Sequence, residues 1–198
     1  MYSDPMPKLW TETVEAHRHE VRHAVMHTTL ELVSERGLRS VTMSEIAEKA
    51  GIGRATLYKY FPDVESILHA WHHGHITAHL QRLREVRDKA TGEIDKLSSV
   101  LEAHALHIYD TREHRETELA ALIHRDDNIT HARQQLTDFI TDLIAKAAAA
   151  NGVRKDTPPR ELAGYCLHAI GATEHLSSKA AVHRLLSITL DALRTSDG

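Results

Sequence analysis

The sequence predicts an all-α protein of about nine helices, on three observations. Apolar residues recur at helical spacing almost everywhere, and no alternating pattern runs long enough for a strand. Only 9 Gly and 5 Pro interrupt 198 residues, too few for a turn-rich β fold. Hydrophobic residues make up 41% of the chain, enough to bury a core.

The first helix is expected over 13–36. Val14, Val21, Val25, Thr28 and Leu32 share one stripe, and Gly37 follows as a stop. Thr42-Met43-Ser44-Glu45 reads as a capping box that starts a helix over 43–50. A third helix covers 54–60. Pro62-Asp63 then restarts the chain, with Asp63 capping a long fourth helix to about residue 88. Gly92 breaks the pattern. A fifth helix is expected over 95–111 and a short sixth over 116–124. Asn128 is a cap for the seventh, 129–150, which ends at Asn151-Gly152. Thr157 is expected to cap the eighth, with Pro158 in its first turn. Ser177-Ser178 separates that helix from the ninth, over 179–194. The domain boundary is expected after residue 62, giving domains 1–62 and 63–198.

Composition narrows the function. One cysteine, Cys166, excludes an internal disulfide and a Cys-based zinc site. No apolar run is long enough for a membrane span, and MYSDPMPKLW has no signal-peptide core, so a soluble cytoplasmic protein with no membrane partner is expected. Net charge is −4, which argues against a whole-molecule field that attracts nucleic acid. Residues 1–62 nevertheless balance 8 Lys/Arg against 8 Asp/Glu, while 63–198 hold 16 against 20. DNA affinity must therefore come from a local patch.

The segment TMSEIAEKAGIGRATLYKYF supplies the candidate patch. Ile46 points inward, and Ala47 falls where two helices cross closely. Gly51 falls at the turn, where a left-handed backbone is cheapest for glycine. Ile52, Leu57 and Tyr60 complete the inner face. This is the register of a helix-turn-helix, whose second helix enters the major groove. Arg54 has the reach for guanine edges or phosphate, and Thr56 for a thymine methyl. Tyr58 and Lys59 reach backbone phosphates. Thr42 and Ser44, at the start of the second helix, lie where hydroxyls and N–H groups meet phosphate. Gly53, Ala55 and Tyr60 complete the DNA-facing set.

The pattern T-x-x-x-IA-x-x-AG-I-x-x-x-T-L-Y-x-Y-F over roughly 20–68 resembles the DNA-binding domain of the tetracycline-repressor (TetR) family. The resemblance implies a homodimer whose first three helices bind a double-stranded operator. It implies a fourth helix that links the domains, a small-molecule inducer pocket surrounded by the fifth to seventh helices, and a four-helix dimer bundle from the last two. Two positions depart from the family: Gly53 stands where Ser is common, and Val64 where a phosphate-holding Lys is common.

The 17 histidines need sorting. His19, His23 and His27 fall opposite the first helix's apolar stripe and read as a solvated face. On the fourth helix, His75 lies near an apolar stripe that includes Trp71, flanked by His72 and His79. His104 lies among apolar residues of the fifth helix, near Ile108. His75 and His104 read either as core histidines with a backbone or hydroxyl partner, or as facing an inducer cavity between the fourth, fifth and seventh helices; Leu136, Phe139, Ile140 and Leu143 of the seventh helix would then be its wall, or else plain core. For the dimer surface, Gly164, Ala169, Gly171 and Ala172 permit close helix approach, with Cys166, Leu185 and Ile188 beside them.

A metal-responsive regulator using His72, His75, His79 and His104 is the alternative within this fold. A helical di-iron enzyme needs Glu-x-x-His on two inward faces. Only Glu20-Val21-Arg22-His23 fits, and it lies outward. No catalytic residue, metal or cofactor is expected.

Overall fold

The computed structural model describes the backbone of residues 8–112 and 127–194, with side chains over 14–112 and 130–194. Among these residues there are eight α-helices and no strand: α1 Lys8–Arg36, α2 Met43–Lys49, α3 Arg54–Tyr60, α4 Val64–Lys89, α5 Glu93–Thr111, α6 Asp127–Ala149, α7 Pro159–Gly171 and α8 Lys179–Asp191. Short 3-10 turns occur at Leu38–Ser40 and Ala172–His175. The helix expected over 116–124 lies outside the described residues. So does the side chain of Asn128, although α6 starts ahead of it.

The chain forms two compact units, one ending at His73 and one starting at Gly74. The boundary was expected after residue 62. It falls inside α4 because Val64, Ile67 and Ala70, on that helix's first turns, pack into the first unit's core.

In the first unit, Val25, Ile46, Leu57 and Ile67 are wholly buried, with Leu32, Val41, Ala47 and Phe61 around them. Each such aliphatic contributes about 1.5–3 kcal/mol on burial. Thr29 sits in this core because its hydroxyl donates to the Val25 carbonyl at 2.8 Å. The stripe predicted on α1 is buried from Val25 to Leu32, whereas Val21 is half-buried and Val14 is 51% exposed. Asp63 caps α4 as expected. Its Oδ1 accepts from Ser66 N–H at 2.7 Å, and its own N–H donates to Ser66 Oγ at 3.4 Å.

In the second unit, α5 packs against α6, α7 and α8, and α7 packs against α6 and α8. Leu83 of α4 joins Leu97, Val100, Leu101, Ile140, Leu143, Ile144, Ile170 and Val182 in one core. Thr173 is buried and donates to the Ala105 carbonyl at 3.3 Å. At the C-terminus of α6, Asn151 adopts a left-handed φ of 60°. Gly152 N–H donates to the Ala147 carbonyl at 2.9 Å, and Lys155 Nζ donates to Asn151 Oδ1 at 2.7 Å. The start of α7 differs from expectation by one residue. Pro158, not Thr157, holds the capping position, and Pro159 occupies the first turn. Two consecutive prolines permit either register, and neither brings a capping side chain. Ser178 caps α8 by accepting from Ala181 N–H at 3.3 Å.

Candidate nucleic-acid interface

The start of α2 is locked locally. Thr42 Oγ1 accepts from Glu45 N–H at 3.3 Å, and Thr42 N–H donates to Glu45 Oε2 at 3.0 Å. These bonds satisfy two backbone donors that a helix start would otherwise leave open. Hydrogen bonds from Thr42, side chain first and backbone second, hold the Glu45 carboxyl below its ordinary range, aided by Arg36.

Ala47 is buried at the α2–α3 crossing, and Gly51 turns the chain with a φ of 69°. A Cβ at Gly51 would meet no atom within 4 Å, so the demand there is conformational and not steric. Ile52 N–H donates to the Ala47 carbonyl at 3.0 Å, closing the turn. Leu57 pins α3 inward, while Ile52 and Tyr60 are half-buried. This fixes the outward face. Arg54, Ala55, Thr56, Tyr58 and Lys59 are exposed, as are Gly53 and Thr42; Ser44 is half-buried. All nine residues proposed for DNA thus lie at the surface or partly at it.

The charges of this unit are sorted by pairing. Lys49 meets Glu31 at 3.3 Å and Glu35 at 3.5 Å, and Arg36 meets Glu45 at 3.3 Å. Among the described residues, no carboxylate lies within 4.0 Å of Arg22, Arg54 or Lys59. A balanced composition therefore still yields an uncompensated basic face along α3.

The histidines of the second unit are arranged differently from expectation. His75 is exposed, and partial loss of water still lowers its pKa. The residue that joins His104 is His79. His79 Nε2 and His104 Nδ1 are 3.0 Å apart, and the His107 ring stacks on His79 with centroids 3.9 Å apart. His79 Nδ1 is buried without a hydrogen-bond partner among the described residues. Burial pushes the His79 pKa down to about 3, with His107, His104 and Arg82 adding repulsion. His107 was not anticipated, although it lies one turn from His104 on α5. Trp71 and His72 are half-buried and fall within the first unit.

Of the expected cavity wall, Ile140 and Leu143 have no exposed surface and Ile108 almost none, so they are core. Leu136 and Phe139 are half-buried against that core, with the Arg87 guanidinium 5.4 Å over the Phe139 ring. No group of three or more His, Cys, Asp or Glu side chains among the described residues is arranged to hold a metal ion.

The dimer set divides as well. Cys166 is wholly buried in its own chain's core, where burial pushes its thiol up to about 12, so it is removed from the expected surface. An all-round apolar helix needs one side for its own unit, and Cys166 lies on that side. Ala172 is exposed, Gly164, Ala169, Gly171 and Leu185 are half-buried, and Ile188 is 64% exposed. A Cβ at Gly164 or Gly171 would meet open space. Tyr165, missed in the sequence, is 45% exposed on the same helix.

A capped helix, a glycine turn and a second helix with a basic outer face define a helix-turn-helix protein. Residues 25–71 match the profile of the bacterial regulatory proteins of the tetR family. That match lies in the N-terminal unit, on the segment whose pattern resembles the family. It is 34% identical over 64 residues to the nucleoid occlusion factor SlmA of Haemophilus influenzae, covering 32% of this chain and 28% of that one. It is 30% identical over 81 residues to a fatty acid metabolism regulator protein of Bacillus subtilis, covering 40% and 41%. The chain thus spans less than half the length of either relative. A TetR/AcrR-family transcriptional regulator from Thermobifida fusca has the same fold, with a TM-score of 0.70 at 19% identity over 89% of this chain and 100% of that one. No described helix is long and apolar enough to cross a membrane.

Proposed function

We propose that this protein is a DNA-binding transcriptional repressor that acts as a homodimer and is released from a palindromic operator by a small-molecule inducer. One observation carries the reading: Arg54 and Lys59 stand exposed on α3 with no carboxylate within 4.0 Å among the described residues, while Glu31, Glu35 and Glu45 pair with Lys49 and Arg36. Uncompensated cations on a helix held out by Leu57 suit a duplex groove. The DNA-facing set is Thr42, Ser44, Gly53, Arg54, Ala55, Thr56, Tyr58, Lys59 and Tyr60.

Two-fold pairing presents two copies of α3 to successive major grooves. The exposed Ile188 and Tyr165, with open space above Gly164 and Gly171, support α7 and α8 as the pairing surface. For the inducer, the unsatisfied Nδ1 of His79 beside His104 and His107 supports a site on α4 and α5. Such a site suits a mostly apolar molecule with one or two hydrogen-bonding groups. The name of the Bacillus subtilis relative is compatible with a fatty-acid-like ligand. Since α4 carries Ile67 in one core and Leu83 in the other, it is the element through which inducer binding would reach α3.

Arg54→Ala tests the reading. A duplex selected from a random-sequence library by the wild-type protein should bind the variant about 1–3 kcal/mol more weakly, by fluorescence anisotropy. Unchanged operator binding would refute it.

A further inference from the structure

Along α1 the sequence sets a ligating side chain at every fourth residue: His19, His23, His27 and Glu31. Four residues make slightly more than one turn, so neighbours in this series stand side by side, about 5–6 Å apart at Cβ. All four are exposed, while Val25 and Leu32 of the same helix turn into the core.

One of these imidazoles is braced. His27 Nδ1 lies 3.3 Å from Glu31 Oε1. The second oxygen of that carboxylate, Oε2, meets Lys49 Nζ of α2 at 3.3 Å. Glu31 is thus held from two helices. The pair itself is solvated, with side chains 66% and 44% exposed, and adds little stability. Its effect is on the ring. A carboxylate accepts and does not donate, so it favours the ring proton on Nδ1 and leaves the lone pair on Nε2. Metal-binding histidines are prepared in this way, the nitrogen away from the metal donating to a carboxylate. His23 stands one turn before His27 on the same face, and two histidines at i and i+4 of a helix form a chelating pair. Among the described residues no further ligand joins them in a group of three, so water completes the coordination. Imidazole nitrogen suits Cu²⁺, Zn²⁺ and Ni²⁺, and not the oxygen-seeking Mg²⁺ or Ca²⁺.

We infer that His23 and His27 form a surface site for a divalent late transition-metal ion, with Glu31 as the residue that positions His27. The inference does not rest on the DNA or inducer readings. It gives a binding role to histidines that in the sequence read as a solvated face. An ion bridging one turn of α1 favours the folded helix over the free chain, so it stabilises the unit that Val25 and Leu32 anchor.

The test uses the full chain without an affinity tag, stripped of metal and titrated with Zn²⁺, Cu²⁺ or Mg²⁺ alone. Calorimetry should show a saturable Zn²⁺ event that Mg²⁺ does not produce. Acid should suppress it, since imidazole ligates only when neutral. Substoichiometric Cu²⁺ should broaden the backbone NMR signals around His23 and His27 before those near any other histidine. His23→Gln and His27→Gln should each remove that broadening, and His19→Gln should leave it. Glu31→Gln should weaken Zn²⁺ binding by roughly 10–100-fold. All four positions are exposed, so the variants should keep the wild-type fold, which the same spectra report. Zn²⁺ should slow hydrogen exchange in α1 of the wild type and not of His27→Gln. The site is overturned if no broadening occurs, if it starts at the α4 or α5 histidines, if it survives His23→Gln or His27→Gln, or if His19→Gln abolishes it. Unchanged Zn²⁺ affinity in Glu31→Gln overturns the role given to that carboxylate.

Discussion

The two units handle polar groups in opposite ways. The first unit keeps its charges outside and sorts them, pairing Glu31, Glu35 and Glu45 on Lys49 and Arg36 and leaving Arg22, Arg54 and Lys59 without acids. The second unit brings imidazoles inward, where His79, His104 and His107 crowd within ring-contact distance. The difference teaches what each unit responds to. A surface sorted by charge answers to salt. A half-buried imidazole cluster answers to pH.

The largest expected effect lies in the first unit. Leu57→Ala removes a wholly buried anchor of α3 and should cost about 2–5 kcal/mol. Hydrogen exchange should show lost protection over residues 14–61, with the α5 and α7 amides retained. Loss of protection in both units together would contradict their description as separate compact bodies.

The second effect concerns pH and belongs to the second unit. The folded-state pKa of His79, about 3, lies below the ordinary histidine value near 6.5. The unfolded chain therefore binds this proton more readily. Stability is unaffected above about pH 6.5 and falls as pH drops toward 3. The slope from this one group is at most about 1.4 kcal/mol per pH unit, lessened by its residual exposure. Denaturant midpoints at neutral and mildly acid pH should draw together in His79→Gln. An identical acid response in wild type and variant would remove His79 as its source. The smallest effect returns to the first unit: Thr42→Ala breaks the α2 capping box and should lower stability by about 1 kcal/mol in thermal unfolding.

These regions also differ in how far the sequence could be read. The capping box at Thr42, the turn at Gly51 and the inward Leu57 depend on residues within one or two turns, so local spacing reveals them. Asp63 and Ser178 as caps follow the same logic. The histidine cluster depends on which side of α4 meets α5, and a single helix's stripe cannot decide that. His75 and His79 are one turn apart, and only packing selects between them. Cys166 failed as a surface residue for a related reason. A helix apolar all round says that two faces are buried, but not which one faces its own core. The paired prolines at 158 and 159 left the α7 start ambiguous by one residue, since both fit a first turn.

The end of α6 bears on how the protein ages. Asn-Gly is the dipeptide most prone to deamidation in a free chain, where the glycine nitrogen attacks the asparagine side chain. Here the nitrogen of Gly152 is committed to the Ala147 carbonyl, and the Asn151 amide oxygen is held by Lys155. The fold thus shelters its most perishable bond, and conversion to aspartate at position 151 should report on time spent unfolded.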